Sequence, residues 1–563
     1  MSDLKKLSLA IILSTIVLVL WQYYYEVSKI EQHKNAQKTV SVIKANDNLV
    51  SGATENMLQS REQVLSSTRS NRIKIDNSRL QGSIDLQGAR LDDITLAEYK
   101  ESLDHNSSEV VLLSPPGSKE SYFVEFGWVS SDTGIKLPNS KTIWKADSKL
   151  LTVSNPLTLS WDNGEGLFFT MTFSIDNYYM FKIEQHVKNL SDKPIVLSGY
   201  SLINKPMPVD YKANSILHEG PIGVFHGILN ESNYDDLYSK KQKEFSNNHK
   251  GDWLGITNKY WLTALIPDAQ DNFTAHFHAF AKGVQNKIQV DYISTPHVVH
   301  PNQSIHIGSH LFTGAKKLKL LDQYERSLNI NLFDRAIDFG WFYFITKPMF
   351  YALQYFYSFV GNFGVAILLM TVAVKLLMFP LANKSYHSMN KMKELQPHIN
   401  KLRERYRNDR IKFNKEVMEL YKREGVNPLS GCLPILIQIP VFFSLYKVLF
   451  VTLEMRQAPF FGWIHDLSMP DPTTLFNLFG LIPWSPPGIL HIGIWPIIMG
   501  VTMYLQQRMN PEPTDPVQAK VMKFLPVIFT FMFGSLPAGL IIYWAWNNIL
   551  SIIQQFAINF KKA

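Results

Sequence analysis

Phe363-Gly-Val-Ala-Ile-Leu-Leu-Met-Thr-Val-Ala-Val-Lys375-Leu-Leu-Met-Phe-Pro380 is an apolar run with one charge inside it. Its 18 residues rise about 27 Å as a helix, enough to cross a bilayer core. Lys375 then lies inside the hydrocarbon, and no acidic residue of the run neutralises it. Thr371, four residues earlier, shares its helix face. An unpaired cation at that depth costs several kcal/mol, so it either faces a wet cavity or snorkels to the nearer headgroups. Thr371 carries the polar face further inward, which favours the cavity.

Beyond Pro380 the chain turns basic. Residues 382–429 hold twelve basic and six acidic side chains, a net charge of +6. The positive-inside rule puts this segment in the cytoplasm. Met389, Met392, Leu395, Ile399, Leu402 and Tyr406 follow helical spacing, as do Phe413, Val417 and Leu420, and Asn408-Asp409 separates them. The spacing predicts a helical hairpin with a sparse apolar seam. Such a hairpin is either simply solvated or a docking arm. Met389 and Met392 with Lys401, Arg403 and Arg405 would form the docking face, because methionine surfaces adapt to varied partners.

Four more spans follow: 433–450, 489–505, 521–535 and 540–556. Gln438 sits inside the first, and Lys447 near its outer end is expected to snorkel. Residues 452–488 form an outer loop. In the last span Tyr543, Asn547 and Ser551 are four apart and share a face. Polar residues in a span either bind helices together or line a wet cavity. With Thr371, Lys375 and Gln438 on other spans, a shared hydrophilic groove is the better reading.

Towards the amino terminus, Pro348 suits a helix first turn after a Thr346 cap, and Phe350, Leu353, Tyr357 and Val360 then fall on one face. Residues 331–362 are therefore expected to carry an amphipathic interfacial helix. Residues 71–330 alternate in short runs, such as Leu167 to Ile175, with turn signals such as Asp162-Asn-Gly164. That texture predicts a large antiparallel sandwich outside the membrane. His276 and His278 share a strand face there, with no third ligand in evident reach, so no metal and no catalytic residue is expected. Residues 28–70 are polar and read as a flexible linker. Residues 1–27, with Lys5 and Lys6 before an apolar run and Trp21-Gln-Tyr-Tyr-Tyr25 after it, read as an uncleaved transmembrane anchor.

The 563-residue chain is 46% hydrophobic and carries a net charge of +8. Cytoplasmic loops account for that charge, and no nucleic-acid module is evident. The single cysteine, Cys432, excludes an intrachain disulfide, so an exported domain must fold on its core alone. No G-x-x-x-x-G-K-[ST] motif is present, so no nucleotide use and no cofactor is expected. The fold class is then a polytopic α-helical membrane protein of six spans, with both termini inside, plus an outer all-β domain.

A series of stretches in residues 358–540 resembles the YidC/Oxa/Alb family of bacterial membrane insertases. They include Ser358-Phe-Val-Gly-Asn-Phe-Gly364, Asn427-Pro-Leu-Ser-Gly-Cys-Leu-Pro-Ile-Leu-Ile-Gln-Ile-Pro440, Arg456-Gln-Ala-Pro-Phe460 and Leu536-Pro-Ala-Gly-Leu540. The resemblance implies a Gram-negative inner-membrane protein. It implies a periplasmic β-super-sandwich and a five-helix core, residues 363–563, around a hydrophilic groove. Lys375 stands where the family usually has arginine, Tyr543 matches a groove aromatic, and Trp544 takes the next position, often tyrosine. Implied partners are nascent membrane proteins, membrane lipid, the SecYEG and SecDF translocon components and the ribosome. Contact with the ribosome is expected to be weak, since the basic tail is only Lys561-Lys562-Ala563. Two other readings stay open. One is an ion-coupled solute transporter using Lys375, against which stands the lack of an internal repeat. The other is a membrane-anchored carbohydrate enzyme, which would need a carboxylate pair in the β-domain.

Overall fold

The computed structural model describes residues 58–560, apart from short stretches of which 208–216, 427–432, 485–491 and 511–515 are the longest. The expected anchor over residues 1–27, and the expected linker as far as residue 57, lie outside the described residues.

The first described element corrects the linker. Residues Arg61–Thr68 form a helix, α1, started by a capping box in which Ser60 Oγ accepts from Gln63 N–H and the Gln63 side chain accepts from Ser60 N–H. Composition hides this, because a short polar helix held by its cap needs no apolar face.

Residues 72–315 build two stacked β-sheets. One has eleven strands, with the main path Gln242–Asn247, Phe273–Lys282, Gln285–Ser294, Ile195–Pro206, Phe123–Val129, Arg90–Lys100, Leu80–Asp85, Arg72–Asp76 and Leu150–Leu151. The other has nine, with Trp261–Pro267, Ser304–Ala315, Met180–Asn189 and Leu167–Ile175 at its centre. Alternation decides which side chains meet between the sheets. In Leu167–Ile175, Phe169, Met171 and Phe173 are fully buried and the residues between them face outward. The Asp162-Asn-Gly164 signal is a turn: Asn163 Oδ1 accepts from the N–H groups of Glu165 and Leu167. The short helix α2, Tyr234–Lys240, packs beside this sandwich.

One expectation about this domain is corrected. His276 does have a third ligand-type neighbour, because the antiparallel register sets Asp291 opposite it and Gln289 opposite His278. Cross-strand pairing, invisible to spacing along the chain, brings them together.

Helices α3 (Leu318–Ser327) and α4 (Tyr343–Val360) connect the sandwich to the helical part. α4 starts a turn earlier than the Pro348 signal suggests, and Thr346 Oγ1 donates back to Phe342 O instead of capping. Lys347 holds this first turn by ion pairs to Asp322 on α3 (2.9 Å) and to Asp334 (2.6 Å), and Tyr343 and Tyr351 donate to the same two carboxylates. α4 ends at Gly361 with φ +64°, a left-handed turn that glycine adopts without strain.

Asn362 then caps α5, Phe363–Glu394, by accepting from Val365 N–H. Its 32 residues rise about 48 Å, well beyond a bilayer core. Pro380 lies inside it and does not end it. The hairpin's first arm is therefore the end of α5 together with α6 (Gln396–Arg405), and its second arm is α7 (Arg410–Arg423). Helices α8 (Leu433–Val451), α9 (Ile494–Met509), α10 (Pro516–Phe533) and α11 (Ala538–Phe560) complete the bundle. Among the described residues, α5 is the one helix that is long and apolar enough to span a membrane by length and composition, with mean hydropathy 2.3. Lys447 on α8 is ion-paired to Asp338 at 2.7 Å, which corrects the expectation that it snorkels. The pairing was not visible because 109 residues separate the two.

Candidate functional site: a polar groove between α5, α8 and α11

Helical spacing puts Thr371, Lys375, Met378, Ala382 and Tyr386 on one side of α5, Gln438, Val441 and Leu445 on one side of α8, and Tyr543, Asn547 and Gln554 on one side of α11. These faces converge on a narrow cleft of about 650 Å³ measured out to its mouth. Its wall mixes aliphatic side chains such as Val374, Met378, Leu381 and Leu445 with polar ones that hydrogen-bond across it. Lys375 Nζ donates to Ser551 Oγ at 2.8 Å, and that hydroxyl donates to the Asn547 backbone carbonyl at 2.8 Å. Gln438 Nε2 donates to Asn547 Oδ1 at 2.9 Å, tying α8 to α11.

Lys375 thus has a hydroxyl partner but, among the described residues, no ion pair. An ammonium carries three N–H donors, so one bond to serine leaves it capacity for an incoming acceptor. Gln554 adds a second unspent donor, since its buried Nε2 has no hydrogen-bond partner. Thr371 is different: its hydroxyl is spent on the Ile367 carbonyl at 2.6 Å, so it supplies wall rather than a free donor.

Residues 453–471 pack against the start of α11, where the N–H groups of Ala538 and Gly539 donate to the carbonyls of Met469 and Leu467. Phe460 presses on α5 at Gly364, where a Cβ would stand only 2.0 Å from its ring. The same segment reaches the β-domain through Arg456 and Gln457, which donate to the Lys100 carbonyl.

Lys375, Gln438, Tyr543, Asn547 and Thr371 line the cleft, and Ser551 contacts it through Lys375. Trp544 does not line it. Adjacent helix positions point about 100° apart, and Trp544 packs on Phe442, Phe529 and Phe533 instead. Sequence reasoning missed Tyr386 and Gln554. Extending the α5 face by whole turns from Lys375, and the α11 stripe by three residues from Ser551, would have found both.

The hairpin residues divide. Lys401 and Arg405 are exposed, and Arg403 is half-buried. Met389 and Met392 are buried with Tyr386, Val426 and Ile558, so they are core and not a docking face. Their spacing marks an apolar stripe, and α11 rather than a partner covers it.

Outside the groove the bundle shows apolar side chains to its surroundings. Leu377 is 80% exposed, and Phe443, Val501, Phe524, Val527 and Ile553 are each about half exposed or more. Exposed apolar side chains on several helices mark a surface for membrane or protein contact.

The family model of the 60Kd inner membrane protein matches residues 355–563, and that of the YidC periplasmic domain matches residues 72–352. The membrane protein insertase YidC of Rickettsia akari (strain Hartford) is 53% identical over 565 residues, covering 99% of both chains. That of Rickettsia bellii (strain OSU 85-389) is 52% identical over 558 residues, again covering 99% of both. A solved structure of an active YidC insertase with its first transmembrane domain resolved aligns with a TM-score of 0.35 and 19% identity, covering 86% of this chain and 92% of that one.

Proposed function

The chain belongs to the YidC family of membrane protein insertases, and from that premise we propose how its groove performs the insertion. It is a membrane protein with a periplasmic domain, and its activity is to insert membrane proteins. The relatives lend no support to the solute-transporter reading.

In the proposed cycle a client's short polar tail, often acidic, enters the cleft between α5, α8 and α11. Lys375 offers its spare N–H donors and its charge at a depth where water is scarce, which offsets part of the tail's dehydration cost. Asn547, Gln438, Ser551 and Gln554 supply further polar contacts. The client's apolar segment then moves sideways out of the cleft into lipid. Apolar burial, with the membrane potential for charged tails, drives the step, and no covalent chemistry is involved.

The observation that carries this reading is a cation on α5 with a hydroxyl partner and, among the described residues, no carboxylate, in a cleft between helices. The proposed topology has six spans: the anchor at residues 1–27, the apolar part of α5, α8, α9, α10 and α11. Both termini and the hairpin are in the cytoplasm of a Gram-negative cell, in keeping with the basic hairpin. Helix α4 is proposed to lie in the outer interface. Its exposed Tyr355 and Phe359, with Trp341 and Phe344 at its start, suit the headgroup level. Lys401, Arg403 and Arg405 are proposed as a contact for ribosome-bound chains, and the periplasmic domain as the contact for SecYEG and SecDF.

Site-specific photocrosslinking tests the groove. A probe at Met378 or Gln438 should form adducts with ribosome-bound chains of a small single-span client, while a probe at Leu377, next in sequence but facing outward, should not. Adducts from Leu377 alone would place the client on the lipid face and overturn the groove mechanism.

A further inference from the structure

We propose that the periplasmic domain carries a site for a divalent transition-metal ion, of zinc-like chemistry, formed by His276, His278 and Asp291. The three lie on the hairpin of Phe273–Lys282 and Gln285–Ser294. Their side chains share the sheet face opposite the one on which Ala275, Phe277 and Val290 enter the core. His276 Nδ1 is 3.0 Å from Asp291 Oδ2, and His278 Nε2 is 3.3 Å from Asp291 Oδ1. Ligand atoms at about 2.0–2.1 Å from a tetrahedral zinc stand about 3.3 Å from each other. The two contacts run to different oxygens of Asp291, and one ligand atom from each residue can be chosen so that all three lie within 4.8 Å of one another, close enough to be drawn onto one ion.

The donor set selects the ion. Two imidazoles and one carboxylate suit zinc and its neighbours, whereas calcium and magnesium prefer oxygen alone. The surroundings are those of a built site. Gln289 Nε2 donates to Asp291 Oδ1 at 2.9 Å and orients the carboxylate. Phe280 stacks on His278 with ring centroids 5.5 Å apart and fixes that ring. Glu244, opposite His276 on the next strand, adds negative charge. His276 is only 4% exposed, and its other nitrogen, Nε2, is buried without a hydrogen-bond partner. Its one polar attachment is this cluster, which accounts for burying an imidazole here. The His278 side chain is 18% exposed, so a fourth corner opens to water or an exchangeable ligand on that side.

The test uses the full chain in detergent, purified with a tag free of histidine and stripped with a chelator. Titration with Zn²⁺ by calorimetry, and with Co²⁺ by visible absorption, should show one ion per chain with the strong d–d bands of tetrahedral Co²⁺. Asp291→Asn and His278→Gln keep size and shape and should each weaken binding by more than the ~10–100-fold that loss of an orienting partner costs. Gln289→Ala should fall within that range, and His306→Ala, on the other sheet, should change nothing. Zinc should also raise the unfolding temperature of the unaltered chain. A stripped wild-type chain that takes up no ion, or binding that Asp291→Asn and His278→Gln leave intact, would overturn the proposal. Insertion by the groove is read separately, so its outcome does not depend on this one.

Discussion

Two lysines show how the surroundings decide what a residue does. Lys375 is held by one serine hydroxyl in a cleft whose other lining groups are uncharged, and its charge is the groove's chief asset. Lys375→Arg should keep insertion of acidic-tailed clients within a few-fold. Lys375→Glu should reduce it by about tenfold or more, equivalent to ~1.4 kcal/mol, through like-charge repulsion at low dielectric. Equal insertion by both variants, measured by protease protection of the client tail, would remove charge from the mechanism. Lys316, in the periplasmic part, has the opposite problem. It is 5% exposed and donates to Thr257 Oγ1 and the Ala336 carbonyl, two bonds that a neutral amine can still make. Burial pushes its pKa down from 10.5 to about 7, although Asp338, Glu219 and Glu231 pull the other way. Between those values the unfolded chain holds a proton that the folded chain does not. Stability should therefore rise with pH from about 7 to 10.5, by on the order of a few kcal/mol, with the full penalty present below 7. Thermal unfolding against pH should show a flatter slope in Lys316→Met, and an unchanged slope would assign the dependence to other groups.

Among the elements, α4 has the most to reconcile. Its outward face is aromatic and exposed, Phe350 and Leu353 on its inner face enter the core, and its first turn is bound by charge. Asp334 is nearly inaccessible to solvent and Asp322 largely so, and Lys347→Met therefore leaves two carboxylates without their cation, the more buried being Asp334. That should cost about 3 kcal/mol, while Asp334→Asn in the same chain should restore part of it, Asp322 remaining unpaired. Unfolding in detergent reads both, and additive losses in the double variant would show that the two side chains act independently. Helix α5 shows that an internal proline need not end a helix. Pro380 forfeits one hydrogen bond, but the helix runs on to Glu394, where burial of Ser385, Tyr386, Met389 and Met392 anchors the turns that follow. The pairing of Gly364 with Phe460 also joins two stretches far apart in the chain, because the absence of a side chain on α5 admits the ring.

At the scale of the molecule, one apolar core runs from the sandwich through Phe333, Phe339 and Phe350 into Phe363, Leu445 and Tyr543. Phe339 lies at the junction, edge-on to Tyr343 and Phe350. The periplasmic domain and the bundle should therefore unfold in detergent as one calorimetric transition. Phe339→Ala, a loss of about 3–5 kcal/mol of burial and packing, should split it in two. Two transitions already present in the unaltered chain would mean that the halves are energetically independent. The Lys447–Asp338 ion pair and the hold of Arg456 on the Lys100 carbonyl reinforce the same junction.

Local pattern alone determined much of this protein. Period-two alternation marked strands such as Leu167–Ile175, apolar runs marked the helices of the bundle, and Lys375, Thr371, Gln438, Tyr543 and Asn547 stood out because polar groups in an apolar run are costly wherever they face. Tertiary structure decided what lies opposite each residue. It covered Met389 and Met392 with α11 and turned Trp544 away from the cleft. It paired Lys447 with a carboxylate 109 residues distant and set Asp291 beside His276 and His278. Periodicity reports which face of an element is apolar or polar. Only the packing of elements far apart in the chain determines which partner that face meets.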